Sequence, residues 1–189
     1  MINFNKKKNK TKNGFTLVET LVALFIFSIS VLTVMLALSR GITGTIYAKN
    51  KIIAEYLTQE GIEYFRNMRD TYVLNPTAPQ NGWAGFYTKV TDYCLGDGCY
   101  FNNDEIYLDG TMYMELTACT GPCPNLKYHS SSGKYDYSTL LGENTTFSRK
   151  MIVEELGPDN IKITSEVTWK SGSKTNTSSL SENLSNWIE

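Results

Sequence analysis

The chain of 189 residues carries 18 basic and 19 acidic side chains, has a formal charge of −1 at pH 7, and is 41% hydrophobic. Its charge is uneven, because residues 1–14 hold five lysines and no acid, which leaves 13 basic and 19 acidic side chains, a charge of −6, on the remainder. A mildly acidic remainder argues against nucleic-acid binding through a broad basic face. The part of the chain that remains after the leader and the apolar run is long enough for one domain with its own core.

An apolar run dominates the N-terminal part of the chain. No charged residue occurs from Thr20 to Ser39, and with residues 15–18 added the run can supply the ~20 helical residues that cross a ~30 Å hydrocarbon core. A secretory signal peptide would instead have an apolar core of ~7–15 residues followed by a small-residue cleavage site, whereas Arg40-Gly41-Ile42 follows here. We therefore predict a membrane-spanning helix over 15–39.

Basic residues before this run predict its orientation. They are Lys6, Lys7, Lys8, Lys10 and Lys12, and no acid precedes Glu19. Lysines in this position stay in the cytoplasm by the positive-inside rule. The sequence thus predicts a single pass, with the N-terminus cytoplasmic and everything after Arg40 exported.

Glu19 is the unexpected residue of the apolar run. A carboxylate within a membrane helix costs roughly 2.5–3.5 kcal/mol at the bilayer centre and indicates a functional site by default. Near the interface the cost is smaller, so a plain membrane anchor in which Glu19 is incidental stays open on this residue alone.

The stretch Gly14-Phe15-Thr16-Leu17-Val18-Glu19, between a basic leader and an unbroken apolar run, resembles the processing signal of type IV prepilins and pseudopilins. The resemblance covers about residues 6–40. It implies that a prepilin peptidase cuts between Gly14 and Phe15 and that the new amine of Phe15 is methylated. It also implies that Glu19 pairs with this amine on a neighbouring subunit, since a charge in an apolar core requires a partner.

Beyond Arg40 the pattern becomes amphipathic, with apolar residues from Ile42 to Met68 at three-, four- and seven-residue steps among charges. The helix is therefore expected to continue to about Asp70. The run contains no proline, so a kink or local melting would fall near Gly41 and Gly44. The predicted domains are a leader (1–14), a transmembrane or filament-core helix (15–39), an amphipathic continuation (40–70) and an exported β-rich domain (71–189).

The exported part reads as an antiparallel sheet after a Pro- and Gly-containing loop at 75–82. Six short runs are predicted as strands: 84–91, 105–108, 112–117, 147–156, 161–170 and 175–181. Ile161, Ile163, Ser165, Val167 and Trp169 fall on one face of their run, which is expected to pack on the outer half of the helix. The fold class is thus α+β, a long N-terminal helix on a C-terminal antiparallel sheet. Residues 129–144 are expected to form a long surface loop.

Four cysteines, Cys94, Cys99, Cys119 and Cys123, all lie in the part predicted to be exported. An even number in an oxidising compartment favours two disulfides, with three possible pairings. A zinc site is the alternative, but structural zinc sites usually have tighter C-x2-C pairs.

Signals for catalysis or metal binding are weak. His129 stands beside Ser130, Ser131 and Ser132 with Asp136 nearby, yet no nucleophile elbow surrounds them. Asn102, Asn103, Asp104, Glu105 and Asp109 could offer oxygens to calcium, which some pseudopilins bind, but they lack the spaced acids of a calcium loop. No enzyme activity, metal or cofactor is expected.

The function implied by the resemblance is that of a minor pilin or pseudopilin, a structural subunit of a type IV pilus-like filament. Its partners would be the prepilin peptidase and N-methyltransferase, other pilin subunits and, before assembly, lipid of the bacterial inner membrane. Many major pilins close a loop near the C-terminus with a disulfide, whereas the last cysteine here is Cys123, which favours a minor subunit. The alternatives are a type II secretion or DNA-uptake pseudopilus component and, in another class, a membrane-anchored binding module.

Overall fold

The computed structural model of this chain describes residues 14–74, 82–102, 106–108, 111–113, 115–138 and 142–187. The chain divides into two compact units, Met1–Ile46 and Tyr47–Glu189. Helix α1, Leu17–Leu74, begins in the first unit and ends in the second. The predicted long helix is confirmed. It also runs without interruption through Gly41 and Gly44, so the local melting considered for these glycines does not occur.

In the described part of the first unit, the chain from Leu17 onwards is helical with a mainly apolar and exposed surface. All side chains from Leu17 to Ile46 are solvent-exposed in the isolated chain. Several hydroxyls within this segment bond back to the helix: Ser28 Oγ donates to the Leu24 carbonyl at 2.7 Å and Ser30 Oγ to the Ile26 carbonyl at 2.8 Å. Such bonds satisfy small polar groups inside the helix itself, which makes them compatible with an apolar environment.

The second unit is an antiparallel sheet covered on one face by the outer half of α1. Its seven-stranded sheet has the path β4-β1-β7-β5-β6, and β8 joins β7 to β9. The remaining elements are α2 (Gly82–Cys94), β1 (Cys99–Phe101), β4 (Leu116–Ala118), β5 (Asn125–His129), β6 (Lys134–Asp136), β7 (Glu143–Gly157), β8 (Asn160–Ser171) and β9 (Lys174–Ser185). Strands β2 (Ile106–Leu108) and β3 (Thr111–Tyr113) form a separate hairpin.

Strand β8 confirms the predicted alternation. All five residues assigned to its packed face, from Ile161 to Trp169 in steps of two, are buried. They pack in two apolar clusters. The Phe65 cluster contains Ile62, Phe65 and Met68 of α1 with Ile161 and Ile163 of β8. The Trp169 cluster contains Ala54 and Leu57 with Val167 and Trp169.

Three predicted elements are wrong. Residues 112–117 do not form one strand, because β3 pairs with β2 in the separate hairpin and β4 pairs with β1 in the large sheet. Residues 84–91 belong to helix α2 and not to a strand, because Trp83, Phe86, Val90 and Cys94 recur at helical spacing and are buried together. Residues 129–144 are not one loop, because β5 and β6 form a hairpin and β7 begins at Glu143. The predicted loop at 75–82 lies, except for Gly82, outside the described residues.

Gly61 marks the closest approach of α1 to the sheet. A methyl group at this position would clash with the Ser165 hydroxyl and lie 2.9 Å from Met151 Sδ. We expect Gly61→Ala to lower the free energy of unfolding by about 1–3 kcal/mol, because overpacking forces side chains and backbone to shift. The measurement is thermal unfolding of the full chain in detergent, followed by near-UV circular dichroism.

Gly41→Ala is the matched control for this substitution. It lies in the same helix, and an added methyl group there has no atom within 4 Å. Alanine is the better helix former by about 0.8–1.0 kcal/mol. Equal stability of the two variants would contradict the steric explanation.

Candidate processing and assembly site

The N-terminus of α1 is capped by its own sequence. Thr16 immediately precedes the helix, and its Oγ1 accepts a hydrogen bond from the Glu19 backbone N–H at 3.3 Å. Thr16 and Glu19 thus have the spacing of a capping box, with the acid in the first helical turn. Gly14 and Phe15 lie before the helix and are exposed. The bond between them, predicted to be cleaved, is accessible and outside regular structure.

Gly14 is not required by the fold. An added methyl group would meet no atom within 4 Å. A glycine can be needed where another backbone must approach closely, and among the described residues none approaches Gly14 in this way. This is consistent with a requirement imposed by an external molecule, such as a peptidase.

Glu19 is the single charged residue of α1 before Arg40, and it is exposed. An acid in the first turn interacts favourably with the helix dipole and stabilises the helix by about 0.3–1 kcal/mol. That gain is smaller than the roughly 2.5–3.5 kcal/mol lost on placing a carboxylate at the centre of a membrane helix. Capping therefore explains why an acid is tolerated at the helix end, but in a fully apolar environment Glu19 requires a further partner.

The helix that carries this site is suited to an apolar environment. Among the described residues, α1 is long and apolar enough to cross a membrane, and none of its most apolar stretch is buried within the chain. Phe25, Phe27 and Met35 are about two-thirds exposed, at 67%, 67% and 66%. So large an apolar surface has no partner within the described chain and is suited to lipid or to the helices of other subunits.

A long helix, apolar in its first part and packed on an antiparallel sheet in its second, defines a pilin-like architecture. Residues 9–35 match the prokaryotic N-terminal methylation motif. This match supports the type IV prepilin and pseudopilin family, and the motif implies processing by a prepilin peptidase. Comparison of the chain with curated proteins and with solved structures finds no match.

The four cysteines form two pairs of near neighbours, Cys94 with Cys99 and Cys119 with Cys123, and no cysteine is free. The first disulfide joins the end of α2 to the start of β1. The second closes the turn after β4, where Gly121 adopts a φ of 101°. Both bonds therefore fasten short local connections in the second unit.

The remaining candidate residues lie apart from the helix N-terminus. His129 and Asp136 are brought together, with Nε2 and Oδ1 at 2.8 Å, and link the two strands of the β5–β6 hairpin. Ser130, Ser131 and Ser132 are exposed in its turn. Of the possible calcium ligands, Asn102 directly follows β1, and Asn103, Asp104, Glu105 and Asp109 lie outside the described residues.

Sequence reasoning missed one buried charge, Arg149, which is fully inaccessible. Its Nη1 lies 2.8 Å from Glu60 Oε2 of α1, and its guanidinium stands 4.0 Å from the centre of the Phe101 ring. Tyr137 donates its hydroxyl to the Arg149 carbonyl at 3.2 Å. Burial raises the pKa of Tyr137 to about 12, although the charge of Arg149 acts in the opposite direction.

The alternation of residues along β7 could have identified Arg149 as a core residue. Phe147, Met151 and Val153 alternate on the packed face of β7, and Arg149 has the same parity. A charge at a core position of a strand requires a partner, and here Glu60 of α1 supplies it. Arg149 thus connects β7 to α1 through an ion pair.

Proposed function

We propose that this chain is a structural subunit, a minor pilin, of a type IV pilus-like filament and has no enzymatic role. The observation that carries the proposal is the apolar and wholly exposed part of α1 before Arg40, which overlaps the methylation motif of residues 9–35 and contains one carboxylate, Glu19. Before assembly the helix would anchor the chain in the inner membrane, with the second unit outside. On assembly it would enter the filament core, where Glu19 would pair with the methylated amine of Phe15 on a neighbouring subunit.

The processing step can be tested directly by mass spectrometry of the protein purified from its native host. We expect a mature chain that begins at N-methylated Phe15, because the accessible bond after Gly14 is the predicted cleavage site. The control is the same chain with Gly14→Val, which should retain the leader because its branched side chain obstructs approach to the bond. A wild-type chain that starts at Met1 or Ile2 would contradict the proposal.

The same measurement separates a minor pilin from one of the two alternatives. A membrane-anchored binding module, in which Glu19 is incidental, would keep its N-terminal leader. A type II secretion or DNA-uptake pseudopilus component would be processed in the same way as a minor pilin. Deleting each candidate machine in turn distinguishes that alternative. The chain belongs to the machine whose deletion removes the mature chain from sheared surface filaments.

A further inference from the structure

The direction of strand β8 along α1 shows which turns of the sheet lie near Tyr47. Strand β8 begins with Ile161 in the Phe65 cluster and ends with Trp169 in the Trp169 cluster, so it runs antiparallel to α1. The Trp169 ring lies 6.3 Å from the ring of Tyr47, the first residue of the second unit. The β8–β9 turn, which follows Trp169 by two residues, therefore lies at the Tyr47 end of the unit.

This end carries lysines without ion partners among the described residues. Lys170 and Lys174 flank the β8–β9 turn and are exposed, and Lys49 is exposed on the first turn of α1 in this unit. Lys51 forms an ion pair with Glu55, with Nζ 3.7 Å from Oε1. Acids outside this pair are Glu143 at the start of β7 and Glu166, which lines the same cavity as Lys170.

The opposite end of the same sheet is acidic. The β7–β8 turn is flanked by Glu154, Glu155 and Asp159, and of these Glu154 is paired with Lys162 at 3.1 Å. The second unit is thus polarised along its strands, although the chain without its leader is acidic overall. A broad polyanion would meet the acidic end as well, whereas a flat anionic surface at the Tyr47 end would meet an end where lysines outnumber the acids named above.

We propose that the lysines at the Tyr47 end bind the headgroups of anionic phospholipids while the chain is anchored in the membrane. This inference rests on the proposed function, because it requires the apolar part of α1 to lie in lipid. Only six residues separate Arg40 from Tyr47 along the chain, so the Tyr47 end is the end at which the second unit is joined to the membrane anchor. Each lysine close to an anionic surface strengthens binding by about fivefold, and salt screens the effect.

The test uses the full chain in lipid nanodiscs that hold one copy each, which removes neighbouring subunits. The discs contain phosphatidylcholine alone or mixed with phosphatidylglycerol, and amide hydrogen exchange is measured across residues 170–176. We expect exchange to slow about fivefold or more in the anionic discs and to recover at high salt. The double variant K170Q/K174Q should show no difference between the two lipids.

Lys162→Gln is the matched control, because it removes a lysine from the acidic end of the same strand and should preserve the lipid effect. Equal exchange in both lipids, with the amides of residues 20–39 still protected, would overturn the inference and leave the proposed function intact. Free exchange of residues 20–39 would instead contradict the membrane-anchored stage. Slowing that appears only in discs holding several chains would identify the acidic surface of another copy as the partner and overturn the lipid assignment.

Discussion

Glu19→Ala is expected to leave membrane insertion unchanged and to reduce incorporation into filaments by at least a hundredfold. Insertion depends on the apolar length of α1, and removing a carboxylate favours it. Assembly would place the amine of Phe15 in an apolar core without its counter-charge, and breaking a buried ion pair by removing one partner costs about 3–5 kcal/mol. Carbonate extraction measures insertion, and immunoblots of sheared filaments measure incorporation.

Thr16→Ala separates charge pairing from helix capping. It removes the hydroxyl that accepts the Glu19 N–H but leaves the carboxylate in place. Loss of a cap costs about 0.5–2 kcal/mol, so incorporation should fall far less than in Glu19→Ala. Similar losses in the two variants would indicate that capping, and not pairing, is the role of Glu19. Normal incorporation of Glu19→Ala would remove both roles.

The parts of the fold that the sequence predicts well are those with an unbroken period. Strand β8 alternates without exception between inward and outward residues, and the apolar part of α1 contains no charge between Glu19 and Arg40. Each pattern permits one arrangement, because a shift by one residue would expose the whole packed face of a strand.

The errors fall where the local composition opposes the final structure. Helix α2 contains Phe86-Tyr87-Thr88 and Val90-Thr91, residue types that favour strands. Its burial against α1 and β7 nevertheless selects a helix, since tertiary packing overrides such weak preferences. The β5–β6 hairpin was hidden for another reason: β6 is only Lys134–Asp136, too short to show a period.

Spacing alone leaves the disulfide pairing open, and the first pair, Cys94 with Cys99, adjoins an element that the sequence misassigns. Cys94 ends α2, and Cys99 begins β1. Because residues 84–91 were expected to be a strand, the short turn that joins these two cysteines could not be anticipated. The N-terminal site, in contrast, can be predicted from the sequence, because its residues are contiguous and need no tertiary contact to come together.

A polar layer divides the core of the second unit. Arg149 lies between Phe147 and Met151 on β7, Ser165 lies between Ile163 and Val167 on β8, and in each strand these neighbours belong to the Trp169 and Phe65 clusters. On α1 the corresponding level holds Thr58 and Gly61, both buried. The close approach at Gly61 and the pairing of Arg149 with Glu60 therefore fix one register of the helix on the sheet.

Arg149→Ala is accordingly expected to lower the free energy of unfolding of the second unit by about 3–5 kcal/mol. The loss combines a cavity beside Phe101 with the loss of the pair to Glu60. Packing is expected to dominate, because the Glu60 side chain is 41% exposed and water can solvate its carboxylate once the partner is gone. Thermal unfolding of the full chain in detergent, followed by near-UV circular dichroism, measures the change.

Arg149→Met tests which of the two contributions is larger. Methionine fills a similar volume without a charge, and replacement of buried ion pairs by apolar side chains is often neutral or stabilising. We expect this variant to lie within about 1.5 kcal/mol of the wild type. If Arg149→Met is as unstable as Arg149→Ala, the charge itself holds α1 on the sheet, and Glu60→Gln should then reproduce most of the loss. If Arg149→Met is stable and Glu60→Gln is mild, the guanidinium acts mainly as a filler between the two clusters, and its charge serves to select the helix register.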